Sequence, residues 1–274
     1  MPELPEVETV RAGLAKHVIG KRIDLVKQLH PRALRTDSLN TLRIFKSAKV
    51  KAVKRRGKFM WLEFDRPEVL VAHLGMSGQF KIKSSKVERE PHLRACFTLS
   101  NGKELRFVDQ RTFGWLAVDQ LVNEVPSLVS HIAFDPFDPR FDKRATVSRI
   151  SKSRAQIKKV ILDQSIVSGI GNIYADEALW RARIHPESIA EELTSTQILN
   201  VLTAAQKVME RALKAGGTSF DDLYINVNGE SGYFERSLAV YGREGEPCRR
   251  CGSEILRIAF ANRSSRLCPT CQTR

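Results

Sequence analysis

The first apolar pattern along the chain has helical spacing. Val7, Val10, Leu14 and Val18 recur at three- and four-residue steps behind Pro5, which suits a first helical turn, and Gly20 offers a stop. Glu6 and Glu8 fall at the positive end of that helix. From residue 22 to about 119 the pattern changes to strands. Runs at 59–64, 69–74, 93–99 and 104–108 are rich in β-branched and aromatic residues, and the last two flank Ser100-Asn101-Gly102-Lys103, where Asn-Gly signals a hairpin. This half reads as a mostly antiparallel sandwich or barrel led by one helix. Cys96 sits in an alternating stretch of it and reads as a buried strand residue.

Residues 126–142, rich in Pro, Asp and Phe, read as a connection between domains. Helical spacing then returns with Ile157, Val160, Ile161 and Gln164, continues over 173–183, and ends in a longer helix. That helix has Thr194 as N-cap with Gln197 three residues on, and runs to Gly216-Gly217. Residues 218–237 have a loop-forming composition longer than a simple connector needs, which predicts a functional loop or disorder. The expected organisation is α+β. Residues 1–125 form a helix plus antiparallel β-sandwich, 126–237 a helical domain with that loop, and 238–274 a small appendage. No internal repeat stands out.

The totals narrow the partner. Lys and Arg number 45 against 31 Asp and Glu, a formal charge of +14, so a polyanion is the first expectation, most often nucleic acid. A ribosomal or chromatin protein would share that excess. The stretch 43–58 carries eight basic residues and no acid, and a second basic run spans 149–159. Basic runs on two domains suggest a duplex gripped between them, although either run also fits a solvated face. The N-terminus lacks an apolar signal-peptide core and no run is long enough to span a bilayer, which leaves the cytoplasm as the default compartment.

The cysteines carry the sharpest chemistry. Cys248-x2-Cys251 and Cys268-x2-Cys271, sixteen residues apart, have the spacing of two zinc knuckles, and four thiolates close a tetrahedral shell around one structural ion. Six arginines against one acid, Glu254, surround them and suit phosphate contact. At the other end, trimming of Met1 would expose Pro2 as a secondary amine, with Glu3 and Glu6 close by. An α-amine has a pKa of about 7.7–8.0, so a sizeable share is unprotonated near neutral pH. Attack on a sugar C1′ would give a cationic iminium that acidifies C2′. A small second residue before an acidic helix start is the plainer reading of the same octapeptide. Gly169-Ile170-Gly171-Asn172 precedes a helix and offers backbone N–H groups to a phosphate. Met76, Arg111 and Phe113 follow strands and form a candidate wedge between bases, while each apolar one alone also suits a core.

Taken together and in order, Pro2-Glu3-Leu4-Pro5-Glu6, Arg56-Gly57-Lys58-Phe59, His73-Leu74-Gly75-Met76-Ser77-Gly78, Gly169-Ile170-Gly171-Asn172-Ile173-Tyr174 and the four cysteines resemble the bacterial formamidopyrimidine-DNA glycosylases over essentially the whole chain. The resemblance implies a bifunctional enzyme that removes 8-oxoguanine and ring-opened purines from double-stranded DNA. It implies a helix–two-turn–helix domain at 126–237 with a lesion-capping loop, and a zinc finger holding one structural Zn(2+) at Cys248, Cys251, Cys268 and Cys271. Pro2 would be the Schiff-base nucleophile and Glu3 the acid that assists sugar ring opening, with Glu6 positioning or activating water. Lys58 would hold phosphates near the lesion and act in β-elimination, and Arg263 would act in δ-elimination. Met76, Arg111 and Phe113 would fill the gap left by the everted base, Arg111 facing the orphaned cytosine. His73, His92, Arg154, Lys158 and Asn172 match backbone-contacting positions. A monomer suffices for such a clamp, in the cytoplasm and on the nucleoid, with no membrane.

Two departures stand out. Ala261-Asn262-Arg263 occurs where many members have glycine before the arginine, which leaves the loop conformation open. Glu90-Pro91-His92 replaces a Lys-His-Asp-His run, which bears on His92 alone. Endonuclease VIII, the sister enzyme for oxidised pyrimidines, shares the proline but typically has glycine where Leu4 stands. A non-catalytic zinc-ribbon nucleic-acid binder explains the charge and cysteines but gives no reason for Pro2-Glu3.

Overall fold

The periodic segment behind Pro5 is helix α1 (Leu4–Val18) in the computed structural model, which describes residues 2–35, 41–216 and 237–274. Its buried face is Val7, Val10, Leu14 and Val18. The helix starts with a reciprocal capping box, in which the Glu3 amide donates to Glu6 Oε2 at 2.9 Å, so two orphan N–H groups are satisfied at once. It stops where Ile19 turns extended and Gly20, at φ +79°, donates its N–H to Val50 O.

Nine strands follow: β1 (Ile23–Gln28), β2 (Val50–Arg56), β3 (Phe59–Phe64), β4 (Glu68–His73), β5 (Gly78–Ser84), β6 (Leu93–Leu99), β7 (Lys103–Asp109), β8 (Trp115–Val122) and β9 (Val125–Pro126). They make two antiparallel sheets, ordered β1-β6-β7-β5 and β2-β3-β4-β8-β9. One core joins the sheets to α1: Val10 and Leu14 from the helix, Phe80, Phe97 and Phe107 from the first sheet, Met60, Leu62 and Leu70 from the second. The Asn-Gly hairpin forms between β6 and β7, with a difference from the two-residue turn such a pair most often makes. Only Gly102 is left-handed (φ +75°), and its N–H bonds Leu99 O at 2.9 Å. The connection is therefore a three-residue loop ending in a left-handed glycine. Cys96 is buried, and that burial, with Glu104 beside it, pushes its thiol up to about 12.

The chain divides into two compact units, the first running to His131 and the second beginning at Ile132. The second holds α2 (Lys143–Ile150), α3 (Ile157–Leu162), α4 (Asn172–Ala182), α5 (Ser195–Lys214) and the hairpin β10 (Leu256–Phe260) with β11 (Arg263–Leu267). Helix α2 was not legible as a period, because its buried side is only Thr146, Val147 and Ile150. Asp142 starts it by accepting from the Ala145 amide at 2.9 Å. Helix α5 begins as its sequence predicts, with Thr194 and Gln197 exchanging hydrogen bonds. Gln164, read as a helical position, lies past the end of α3. Its amide instead ties the glycine turn, accepting from Gly169 N and donating to Leu162 O and Ile170 O. The loop expected at 218–237 lies outside the described residues except for Ser237. Among the described residues no helix is long and apolar enough to cross a membrane.

Candidate active site and nucleic-acid interface

In the first unit, Pro2, Glu3, Glu6 and Lys58 are all buried. Lys58 occupies the two-residue turn between β2 and β3, where left-handed Gly57 (φ +55°) makes the reversal possible. Arg55 binds this turn to the start of α1, with Nη1 donating to Gly57 O and Nε to Glu8 Oε2, both at 3.0 Å. Arg11 adds a second strap, donating to Val53 O at 3.1 Å and pairing with Glu8 at 2.7 Å. Burial alone would raise the Glu8 carboxyl, yet the bonds and charges of Arg11 and Arg55 hold it below the ordinary carboxylate range. Arg55 belongs to the basic run read as a DNA grip, but its guanidinium works inside the protein. Nothing in the run's composition distinguishes it.

His73 ends β4 between Phe59 and Trp115, with ring centroids at 4.9 and 5.8 Å. Its Nδ1 accepts the Gly75 amide at 3.1 Å, so the neutral ring carries its proton on Nε2 and offers it as a donor. Burial, reinforced by the charges of Lys58 and Arg35, lowers its pKa from 6.5 to about 4. The folded value lies below the unfolded one. Any stability linked to this ring is thus complete above pH 6.5 and lost as pH falls toward about 4. NMR titration of the His73 ring is expected to show a midpoint near 4 and no charge change between roughly pH 5.5 and 8. A midpoint near 6.5 would contradict this environment.

Met76 and Phe113 are exposed by 40% and 55%, against a norm of burial for such side chains, and Arg111 is exposed beside Phe113. His92 is half-buried. The geometry therefore brings Met76, Arg111 and Phe113 out on neighbouring loops and does not spend them on the core.

In the second unit the glycine turn leads into α4, where Asn172 Nδ2 donates to Ser264 O at 3.1 Å. Asn172 Oδ1 and the buried Ser168 Oγ have no hydrogen-bond partner among the described residues. Arg154 is almost wholly exposed, with Glu191 at 3.6 Å. Arg263 is exposed at the first position of β11. Its loop is a two-residue turn between paired Phe260 and Arg263, and the left-handed position is Ala261 (φ +48°), costing about 1 kcal/mol relative to glycine.

Lys158 departs from its expected place on a DNA-contacting surface. It is fully buried, its ammonium 2.7 Å from Asp176 Oδ1 and 3.0 Å from Ser264 O, so a phosphate cannot reach it in this arrangement. Asp176 also accepts from Ser265 Oγ and Arg266 N, and burial pushes its carboxyl up against the pull of those partners. Glu177, next along α4, accepts the amides of Ala239, Val240 and Tyr241 and fixes the chain entering the finger. Sequence reading missed both carboxylates.

The four cysteine sulfurs lie within 4.8 Å of one another. A tetrahedron with Zn–S bonds of about 2.3 Å has edges of roughly 3.8 Å, so the quartet fits. The surroundings fit thiolates as well. Trp180 Nε1 and Arg250 N donate to Cys248 Sγ at 3.4 and 3.5 Å, and Cys271 N donates to Cys268 Sγ at 3.4 Å.

A helix-led sandwich, a helix–two-turn–helix domain and a four-cysteine finger together define a DNA glycosylase. Family models match in the same order: the formamidopyrimidine-DNA glycosylase N-terminal domain over residues 1–116, its H2TH domain over 132–223, and the zinc finger found in FPG and IleRS over 245–274. A formamidopyrimidine-DNA glycosylase of a Nocardioides species is 52% identical over 99% of this chain and 94% of its own. The Lactococcus lactis FPG (MutM), solved in complex with DNA containing FAPY-dG, superposes with a TM-score of 0.90 at 32% identity, covering 99% of this chain and 100% of its own. MutM in complex with DNA containing carbocyclic 8-oxo-G gives 0.89 at 33% identity, over the whole of both chains. The chain belongs to the formamidopyrimidine-DNA glycosylase family. Its four cysteines hold one structural zinc ion.

Proposed function

We propose that this protein is a base-excision-repair glycosylase that removes oxidised purines, 8-oxoguanine and formamidopyrimidines, from double-stranded DNA and then cleaves the strand as an AP lyase. The observation that carries this reading lies within the first unit. A buried Pro2-Glu3-Glu6 helix start is strapped to the Lys58 turn, and the same unit exposes Met76, Arg111 and Phe113.

With Met1 removed, the Pro2 nitrogen attacks C1′, the C1′–N bond to the damaged base breaks, and the base leaves with a proton. Glu3 assists sugar ring opening, and Glu6, whose carboxylate is oriented by the Glu3 amide, positions water. The resulting iminium draws electrons from C2′, so loss of a C2′ proton expels the 3′ phosphate, and a second elimination expels the 5′ phosphate. Lys58 serves the first elimination and Arg263 the second. His73, His92, Arg154 and Asn172 contact the DNA backbone, while Lys158 holds the Ser264 carbonyl instead of a phosphate. Zinc supplies folding energy to the finger and takes no part in the chemistry. We place the domain limits at 1–125, 126–237 and 238–274. One copy suffices, acting on chromosomal DNA in the cytoplasm.

Borohydride reduction in the presence of DNA carrying 8-oxoguanine opposite cytosine tests the reading. A covalent protein–DNA adduct is expected. No adduct would overturn the enzyme assignment in favour of a zinc-ribbon binder, and trapping only on thymine glycol would favour the pyrimidine-specific sister enzyme.

A further inference from the structure

Asp109 ends β7 with its carboxylate fully buried, and the hydrogen bonds it accepts come from the loops that carry the wedge. Oδ1 accepts from Ser77 Oγ at 2.5 Å, Thr112 N at 3.0 Å and Arg111 N at 3.2 Å. Oδ2 accepts from Gly114 N at 2.7 Å. Ser77, itself buried and next to Met76, also accepts from the Arg111 amide at 3.2 Å. The Asp109 amide donates to His92 O at 2.9 Å. One residue therefore joins the Met76 loop, the 110–114 loop and the carbonyl of His92.

The backbones leave no slack between the two loops. At Gly75 (φ +62°) an added Cβ would lie 2.3 Å from the Phe113 carbonyl carbon, and at Gly114 it would lie 2.9 Å from His73 O. Thr112 is left-handed at φ +55°, a conformation its own side chain disfavours and the Asp109 bond to its amide supports.

We infer that Asp109 and Ser77 are positioning residues that hold Met76, Arg111 and Phe113 as one preassembled wedge for entry into the base stack. The inference rests on the wedge reading above. Neither residue touches DNA. Each acts by removing loop freedom that would otherwise have to be lost as the duplex is opened.

The test uses the full zinc-loaded chain with Met1 removed, and a duplex carrying 2-aminopurine beside a tetrahydrofuran abasic analogue. Wedge insertion unstacks the probe and raises its fluorescence. Asp109→Asn turns one acceptor oxygen into an N–H donor facing backbone donors. It is expected to slow the fluorescence rise and 8-oxoguanine excision together by about 10- to 100-fold. Ser77→Ala keeps the carboxylate and its backbone bonds, serves as the milder variant should Asp109→Asn fold poorly, and is expected to slow both by roughly 3- to 10-fold. Strand cleavage of a single-stranded abasic oligonucleotide, which has no pair to open, should change by less than about 2-fold in either variant. A normal fluorescence rise in both variants, or equal losses on single-stranded and duplex substrates, would overturn the inference. Phe113→Ala in the same assay separates the premises. If it leaves the rise intact, the wedge reading fails and this inference with it. If it abolishes the rise while Asp109→Asn and Ser77→Ala do not, only the positioning role fails.

Discussion

Extending the chain by one blocking residue ahead of Pro2, or retaining Met1, is expected to eliminate the borohydride-trapped adduct and reduce strand cleavage by at least about 10³-fold. In either form the proline nitrogen becomes a tertiary amide, whose lone pair is delocalised into the carbonyl and cannot attack C1′. Pro2→Gly is expected to lose the adduct too, for a different reason. Proline's ring fixes the direction of its nitrogen lone pair, whereas glycine's unrestrained backbone lets the primary amine turn away from C1′. The fold has no slack to substitute another nucleophile, because the first turn of α1 is fixed by the Glu3–Glu6 capping box and by Arg55 between Glu8 and Gly57. The measurement is adduct yield on a denaturing gel, with circular dichroism to verify folding. Wild-type adduct yield from the extended chain would refute Pro2 as nucleophile.

Removing zinc by chelation, or replacing Cys268 by serine, is expected to weaken DNA binding by about 10²-fold or more while the far-ultraviolet signature of the sandwich persists. The finger owns little apolar core. Cys248, Ile255 and Cys268 pack with Trp180 of α4 and with Ala239 and Val240 just ahead of the first knuckle, and its two strands are five residues each. Without the metal the two knuckles have nothing to close them, and the turn carrying Arg263 loses its frame. The sandwich has its own core of α1 and both sheets and does not draw on the cysteines. Fluorescence anisotropy of labelled duplex, before and after chelation, makes the comparison. Unchanged affinity would exclude a DNA-holding role for the finger. Cys96→Ser is the control expected to retain zinc, since that thiol is buried in β6, outside the cluster of four.

Much of the architecture was legible along the chain because it is written in local periods. The α1 stripe, the β6–β7 hairpin and the Thr194–Gln197 cap depend on residues within a few positions of one another. Helix α2 was not, because two apolar residues and a capping aspartate make no period. The site divides in the same way. Pro2-Glu3 and the cysteine quartet announce themselves by residue type and spacing. Asp109, Ser77, Asp176 and Glu177 do not, because an acid or serine near a strand or helix end is ordinary until its partners are known.

The basic runs show the division most plainly. By itself the sequence determined the excess of positive charge, the zinc ligands, and the helical and strand periods. Only the tertiary structure decided which of the charges face a ligand. Arg154 is left in solvent, Arg55 is spent on Glu8 and Gly57 O, and Lys158 is sealed against Asp176. Charge and period are properties of a short stretch of chain. Burial and pairing arise from residues brought together across the sequence, and for an ionised group taken out of water the partner determines whether it can be there at all.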